Sequence, residues 1–215
     1  ARALSIGPET IVMDFRPEQP MHNRYAVSYD FLSPQAGWEA ETVSKVVNAF
    51  FAWEFNSAEM LIAGDEVHPI DYANACPDVA VTSLHYYFPW AITALVRWSV
   101  FCLATNRPAT VDLETRRYYE IADDDSLDYQ AKMEGYRRLA DEHFDTERYW
   151  EFCHEHLAHL PEAVLEWVDS DAFDKILLDT VRSTYPAHEH EKFLAHFRGL
   201  VGLWVKDQHN LAARP

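Results

Sequence analysis

Phe55-Asn56-Ser57-Ala58-Glu59-Met60-Leu61-Ile62-Ala63-Gly64-Asp65-Glu66-Val67-His68-Pro69-Ile70-Asp71-Tyr72-Ala73-Asn74-Ala75-Cys76-Pro77-Asp78 is the stretch on which the fold turns. Ser57 to Ala63 and Val67 to Tyr72 flank Gly64-Asp65-Glu66 and read as a β-hairpin. With those three residues as its loop, Met60 faces Ile70 and Glu59 faces Asp71. Directly opposed side chains sit ~5 Å apart at Cβ, and like charges there repel. Two facing carboxylates are tolerated when one takes up a proton or a cation sits between them. Asn74 brings a third oxygen. Such hard oxygen ligands suit Mg²⁺, which keeps several waters and is usually held by one or two carboxylates plus substrate phosphates. The alternative is that both acids lie on a solvated face and tolerate each other. A loop one residue longer or shorter also puts Glu59 opposite another residue.

Upstream, Ala3 to Ile6 and Thr10 to Phe15 surround Gly7-Pro8-Glu9 as another hairpin, and residues 16–32 read as loop. Ser33-Pro34 opens a helix with Ala36, Ala40, Val43, Val47 and Phe50 on one face, reaching about Trp53. Residues 73–83 are irregular, and Pro89 to Ala104 forms a buried helix. The apolar run Phe88 to Ala104 carries Arg97 near its middle, whereas a membrane-spanning helix needs ~20 apolar residues without a central charge. Helices are then expected over 110–122, 127–143, 146–159, 162–184 with a break near Ser170, and 187–207. The last shows Phe193, Phe197, Leu200 and Trp204 on one stripe. The fold class is therefore α+β over 1–105 and all-helical over 106–215, with the boundary at Asn106-Arg107-Pro108.

The 215 residues include 18 Lys plus Arg against 35 Asp plus Glu, a net charge of −17. Such a chain lacks the basic surface that nucleic acids or anionic membranes require, so neither is an expected partner. Cys76, Cys102 and Cys153 form no C-x-x-C pair, and an odd count favours a reducing compartment; a cytoplasmic protein is expected. The chain opens at Ala1 in what reads as a strand, which is how a fragment begins.

Residues 1–104 resemble the C-terminal lobe of the ATP-grasp superfamily. There a strand carries an acid, a short turn follows, and the returning strand ends in a second acid, an Asn and a Pro-containing loop, here Glu59, Asp71, Asn74 and Pro77. The strand Arg2 to Gly7 and the helix from Ser33 are similar to what precedes the motif. The resemblance implies a Mg²⁺- and ATP-dependent ligase that phosphorylates a carboxylate to an acyl phosphate, which an amine or other nucleophile attacks. Glu59, Asp71 and Asn74 would hold the metal on the ATP phosphates, and Arg2 would contact a phosphate or the acyl phosphate. In many members the Asn follows the second acid by two residues; here it follows by three, so a bulge must re-aim Asn74 for it to be a ligand. The phosphate-binding Lys residues, the glycine-containing loop and the adenine hinge have no counterpart in this chain. The expectation is that an N-terminal ATP-binding half is missing, and that this chain alone neither binds ATP tightly nor turns over.

Other groups carry weaker signals. His154, His156 and His159, pooled with His188 and His190, are a conceivable zinc set, although solvated helix faces explain them as well. Cys153 and Cys76 lack an evident base and read as structural. Asp123-Asp124-Asp125 reads as a solvated loop without the EF-hand pattern. The 7 Trp, 11 Tyr and 12 Phe read chiefly as core, with Tyr86-Tyr87-Phe88 placed to line a substrate pocket. The helical half is expected to dock on the lobe, to serve the acceptor site or to form a homo-oligomer interface. The competing function is a non-catalytic ATP-grasp-like lobe serving as a binding or scaffolding module.

Overall fold

Glycine-led turns close both hairpins. In the computed structural model, which describes residues 1–109 and 113–212, β1 (Arg2–Ile6) and β2 (Glu9–Phe15) are joined by Gly7-Pro8. After the short strand β3 (Tyr25–Ala26), β4 (Phe55–Ala63) and β5 (Glu66–Asn74) are joined by Gly64-Asp65. Gly7 and Gly64 take φ +53° and +66°, the left-handed conformation that a glycine-first two-residue loop requires. The five strands form one antiparallel sheet in the order β3-β2-β1-β4-β5.

The two faces of β1 build two cores. Ala3 joins Ala58, Met60 and Val67 beneath α1 (Pro34–Phe51), whose Ala36 and Ala40 complete a layer of small side chains. Ser5 faces the same way and shares a 2.7 Å hydrogen bond with Ser44. Leu4 and Ile6 point to the opposite face and enter the large core. Ser33 caps α1 by accepting from the Ala36 amide at 3.2 Å.

The expected single apolar face of α1 needs correction, because the helix is covered on two sides. Val43, Val47 and Phe50 are only half-buried, whereas Thr42, Ser44, Lys45 and Asn48 are buried. The second cover is α5 (Tyr129–Phe144), reached after α2 (Val81–Leu84), α3 (Phe88–Ala104) and α4 (Arg116–Ala122). Lys45, 3% exposed, lies 3.1 Å from Asp141, and Arg137 pairs with Glu41 at 2.8 Å. Lys45 is the buried member of this group, and its counter-charge offsets part of the cost of taking it out of water.

On the other face α3 packs between the sheet and the remaining helices, α6 (Thr146–His156), α7 (Leu160–Val168), α8 (Asp171–Thr184) and α9 (His190–Ala212). One hydrophobic cluster runs from Leu4 through Trp98 and Phe101 to Val201 and Trp204. The helical stretch Val81–Ala104 is long and apolar enough to cross a membrane by composition, a property that core helices share. Arg97 within it donates to Glu9 at 3.2 Å, and Glu9 also accepts from the Tyr149 hydroxyl. Burial pushes the Glu9 carboxyl up, opposed by those two donors.

The break at Ser170 is a helix cap, its hydroxyl accepting from the Phe173 amide. In α9 the buried stripe is Phe193, Phe197, Val201 and Trp204, with Leu200 half-buried. Residues 16–32, expected as loop, contain β3 and a 3₁₀ turn, Met21–Asn23. Within 73–83, α2 begins at Val81. The first residues of the helix expected over 110–122, positions 110–112, lie outside the described residues; α4 begins at Arg116.

A Cβ built on Gly7 would lie 2.3 Å from Trp98 Cδ2, and one on Gly64 meets nothing within 4 Å. Gly7→Ala is therefore expected to destabilise by about 2–4 kcal/mol, and Gly64→Ala by about 1 kcal/mol through its positive φ alone. Urea midpoints measure both; equal losses would refute the close approach to Trp98. A second expectation concerns acid. His85 is 1% exposed, and its Nδ1 accepts from the Tyr86 amide while its buried Nε2 has no partner among the described residues. Burial, helped by His196 and His22, pushes its pKa down to about 4. The unfolded chain then binds the extra proton below pH 6.5, so native stability falls from there toward pH 4. The wild type should lose about 3 kcal/mol relative to His85→Asn over that interval; parallel pH profiles would contradict it.

Candidate functional site

A line of residues crosses the sheet. Arg2 pairs with Met13 on β2 and with Glu59 on β4, and Glu59 pairs with Asp71 on β5. The expected opposition of the two acids is present, but the route to it differs. The loop is two residues rather than three, so Met60 faces Pro69 instead of Ile70. A bulge then shifts the register so that Asp71 meets Glu59, and a second irregularity places Asn74 opposite Ser57. Residues three apart on a regular strand face opposite ways. Ser57 and Glu59 are two apart, so this second shift brings their partners Asn74 and Asp71 onto one face.

Arg2 anchors the line. Its Nη2 lies 2.9 Å from Glu59 Oε1, its Nη1 donates to the Tyr25 hydroxyl at 2.7 Å, and its guanidinium sits 4.8 Å from the Phe15 ring centre. Its Nε is buried without a hydrogen-bond partner among the described residues. Burial pushes the Tyr25 hydroxyl pKa up, opposed by Arg2. Asn74 donates through Nδ2 to Ser57 Oγ at 3.1 Å. Among the described residues no three His, Cys, Asp or Glu side chains converge as a metal site. A cation here would therefore draw on the Glu59 and Asp71 carboxylates and the Asn74 amide oxygen, with water or phosphate oxygens completing its shell. That donor chemistry fits Mg²⁺.

A cavity of about 220 Å³ adjoins the Arg2 and Asn74 end of this line. Arg24, Tyr25, Ser57 and Asp78 line it as well, and sequence reasoning missed all four. Ser57 was findable, because it precedes Glu59 by two on one strand and shares its face. Arg24 and Tyr25 gave no signal, since β3 is too short to show a period. Asp78 holds the following turn, accepting from the Ala80 amide at 2.8 Å and from the Ser83 hydroxyl. Tyr86, Tyr87 and Phe88 do not line this cavity: Tyr86 bonds Asp207, Tyr87 bonds the Ala26 carbonyl, and Phe88 joins the core. The pooled histidine site does not assemble among the described residues. Burial pushes the Cys153 thiol up, away from the thiolate a nucleophile needs.

Set against known proteins, the chain matches no protein-family model, no curated protein and no solved structure.

Arg2 and Glu59 are both partly buried, and their pairing is testable by itself. Arg2→Ala, Glu59→Gln and the double variant should give a coupling of about 0.5–1 kcal/mol in a thermodynamic cycle. Strictly additive losses would mean that the ion pair contributes nothing to the fold.

Proposed function

We propose that this chain carries the metal-holding lobe of a cytoplasmic ATP- and Mg²⁺-dependent carboxylate ligase of the ATP-grasp type. The observation that supports it is the opposition of Glu59 and Asp71 with Asn74 on the same face. The second oxygen of Glu59 and the carboxylate of Asp71 would hold Mg²⁺, and Asn74 would add its amide oxygen, the end not bonded to Ser57. When bound, Mg·ATP supplies the phosphoryl group that activates a small carboxylate as an acyl phosphate for attack by an amine or related nucleophile. The protein's part is placement and charge. Arg2 sets a guanidinium beside the acids, where it would draw in a phosphate or acyl-phosphate oxygen. The alanine layer under α1 holds these strands so that the line keeps its register.

The Arg2–Glu59 contact at 2.9 Å favours a second reading. A protein cation already holds one of the two acids, as suits a lobe that has lost catalysis and serves as a binding or scaffolding module.

Mn²⁺ is the probe that separates them, since it is paramagnetic and accepts the same ligands. On titration into the chain, amide signals of residues 57–60 and 70–74 should broaden first. Glu59→Gln and Asp71→Asn should each raise the required Mn²⁺ by about ten-fold or more. In the protein purified from its native source, Glu59→Gln should abolish Mg·ATP-dependent ADP release. Broadening without regional preference, or ADP release indifferent to Glu59→Gln, overturns the ligase reading in favour of the module.

A further inference from the structure

Arg16-Pro17-Glu18-Gln19-Pro20-Met21-His22-Asn23-Arg24 leaves the sheet after β2 and returns to it at β3. Its ends meet, the Arg16 amide donating to the Arg24 carbonyl at 2.7 Å, so the residues between form a closed loop. Every residue from Arg16 to Arg24 is exposed except His22, which is half-buried. The His22 ring lies edge-on to two rings of α9, 4.9 Å from Phe193 and 5.4 Å from His196. His196 Nε2 donates to the His22 carbonyl at 3.1 Å. On its other side the loop borders the cavity beside Arg2 with Met21 and Arg24. From Tyr25 onward the chain is held by hydroxyl groups instead. Tyr25 accepts from Arg2, Tyr87 donates to the Ala26 carbonyl, and Tyr29 and Tyr86 donate to Asp207. Tyrosines keep their proton between pH 5 and 8, whereas histidine changes charge there.

The groups that face His22 are His196 and Lys192 of α9, Glu189 of the turn before α9, and His85. Helix α2 offers no ionisable side chain. On the loop side Arg16 is paired with Asp14, and Glu18 is exposed. Glu189 is the one carboxylate facing the ring, and it lies 3.9 Å from Lys192. A proton on His22 therefore sets a charge against Phe193, near Lys192 and a second imidazole, with its counter-charge already shared. Burial, His196 and Lys192 hold the His22 pKa below the usual imidazole value, opposed by Glu189. Freed into water the ring regains that value, so the open loop binds the proton more tightly and acid favours opening. We propose that His22 is an acid-sensitive latch: neutral, it seats loop 16–24 on α9 beside the cavity, and protonated, it lets the loop swing away at Arg24 and uncover that cavity. The latch does not depend on the ligase reading.

The test labels the methyl groups of the four methionines with ¹³C in the 215-residue chain. Met21 reports the loop, and the buried Met13, Met60 and Met133 report the fold. Between pH 7.5 and 5.5 the Met21 signal should move toward the position of a free methionine, following the His22 imidazole. The open share read from it should rise about three-fold or more, while the other three signals stay in place. His22→Phe keeps a ring for Phe193 and takes no proton, so its Met21 signal should hold at the native position at pH 5.5. His22→Lys is charged throughout and should show the open share at pH 7.5 already. His85, whose pKa is about 4, stays neutral over this interval, so His85→Asn should leave the Met21 midpoint in place. A neutral nitroxide should broaden the Ser57 and Ser83 amides, which border the cavity, more at pH 5.5 than at pH 7.5. A Met21 signal indifferent to pH, the same titration in His22→Phe, or four methyl signals moving together would each overturn the latch. Equal nitroxide broadening at the two pH values would overturn the uncovering of the cavity.

Discussion

Strand β1 sits at the centre of the sheet, and the alternation of its side chains is the constraint from which the rest follows. Ala3 and Ser5 turn to α1, and Leu4 and Ile6 turn to the large core beneath α3. A slip of one residue would drive Leu4 into the alanine layer and leave Ala3 facing a space shaped for larger groups. Both cores therefore fix the same register. That register also sets Arg2 beside Glu59, so the line of charged residues is held by packing on both sides of the sheet.

Charge inside this molecule is handled by pairing. Lys45 lies against Asp141, Arg97 against Glu9, and Arg137 against Glu41. Each pair joins segments distant in sequence, and removing Asp141 or Arg97 would leave the buried Lys45 or Glu9 without its nearest counter-charge. Charged pairs join α1 to α5, and the Arg97–Glu9 pair aligns α3 on the first hairpin. Trp98 shows the same economy, lying over Gly7 while its indole N–H donates to Glu54 at 3.0 Å.

Local chemistry made much of the fold legible in the sequence. Ser33 and Ser170 announce helix starts because a cap needs only its own hydroxyl and a nearby amide. Gly7 and Gly64 mark the hairpins because few other residues take a positive φ. The facing of Glu59 and Asp71 was readable only in outcome: a loop one residue shorter than expected and a bulge near Ile70 offset each other. No residue announces such a bulge, which is settled by what the strand must bury. The two-sided burial of α1 was hidden because its second face is polar, and an apolar count sees only the first. Arg24 reaches the cavity through β3, which exists because β2 offers it a partner.

Strand β5 ends the sheet with an open edge. Pro69 lacks an amide hydrogen, and the register irregularities break the even spacing of donors and acceptors along it. Glu66 and His68 project charge and polarity there, and Leu61 and Ile70 stay 58% and 55% exposed nearby. An even, unbroken ladder beside exposed hydrocarbon would template a strand from another molecule and seed fibrils. The distortion that sets Asn74 on the face of the acids also makes this margin a poor template, so one irregular strand carries both the facing of these residues and colloidal safety.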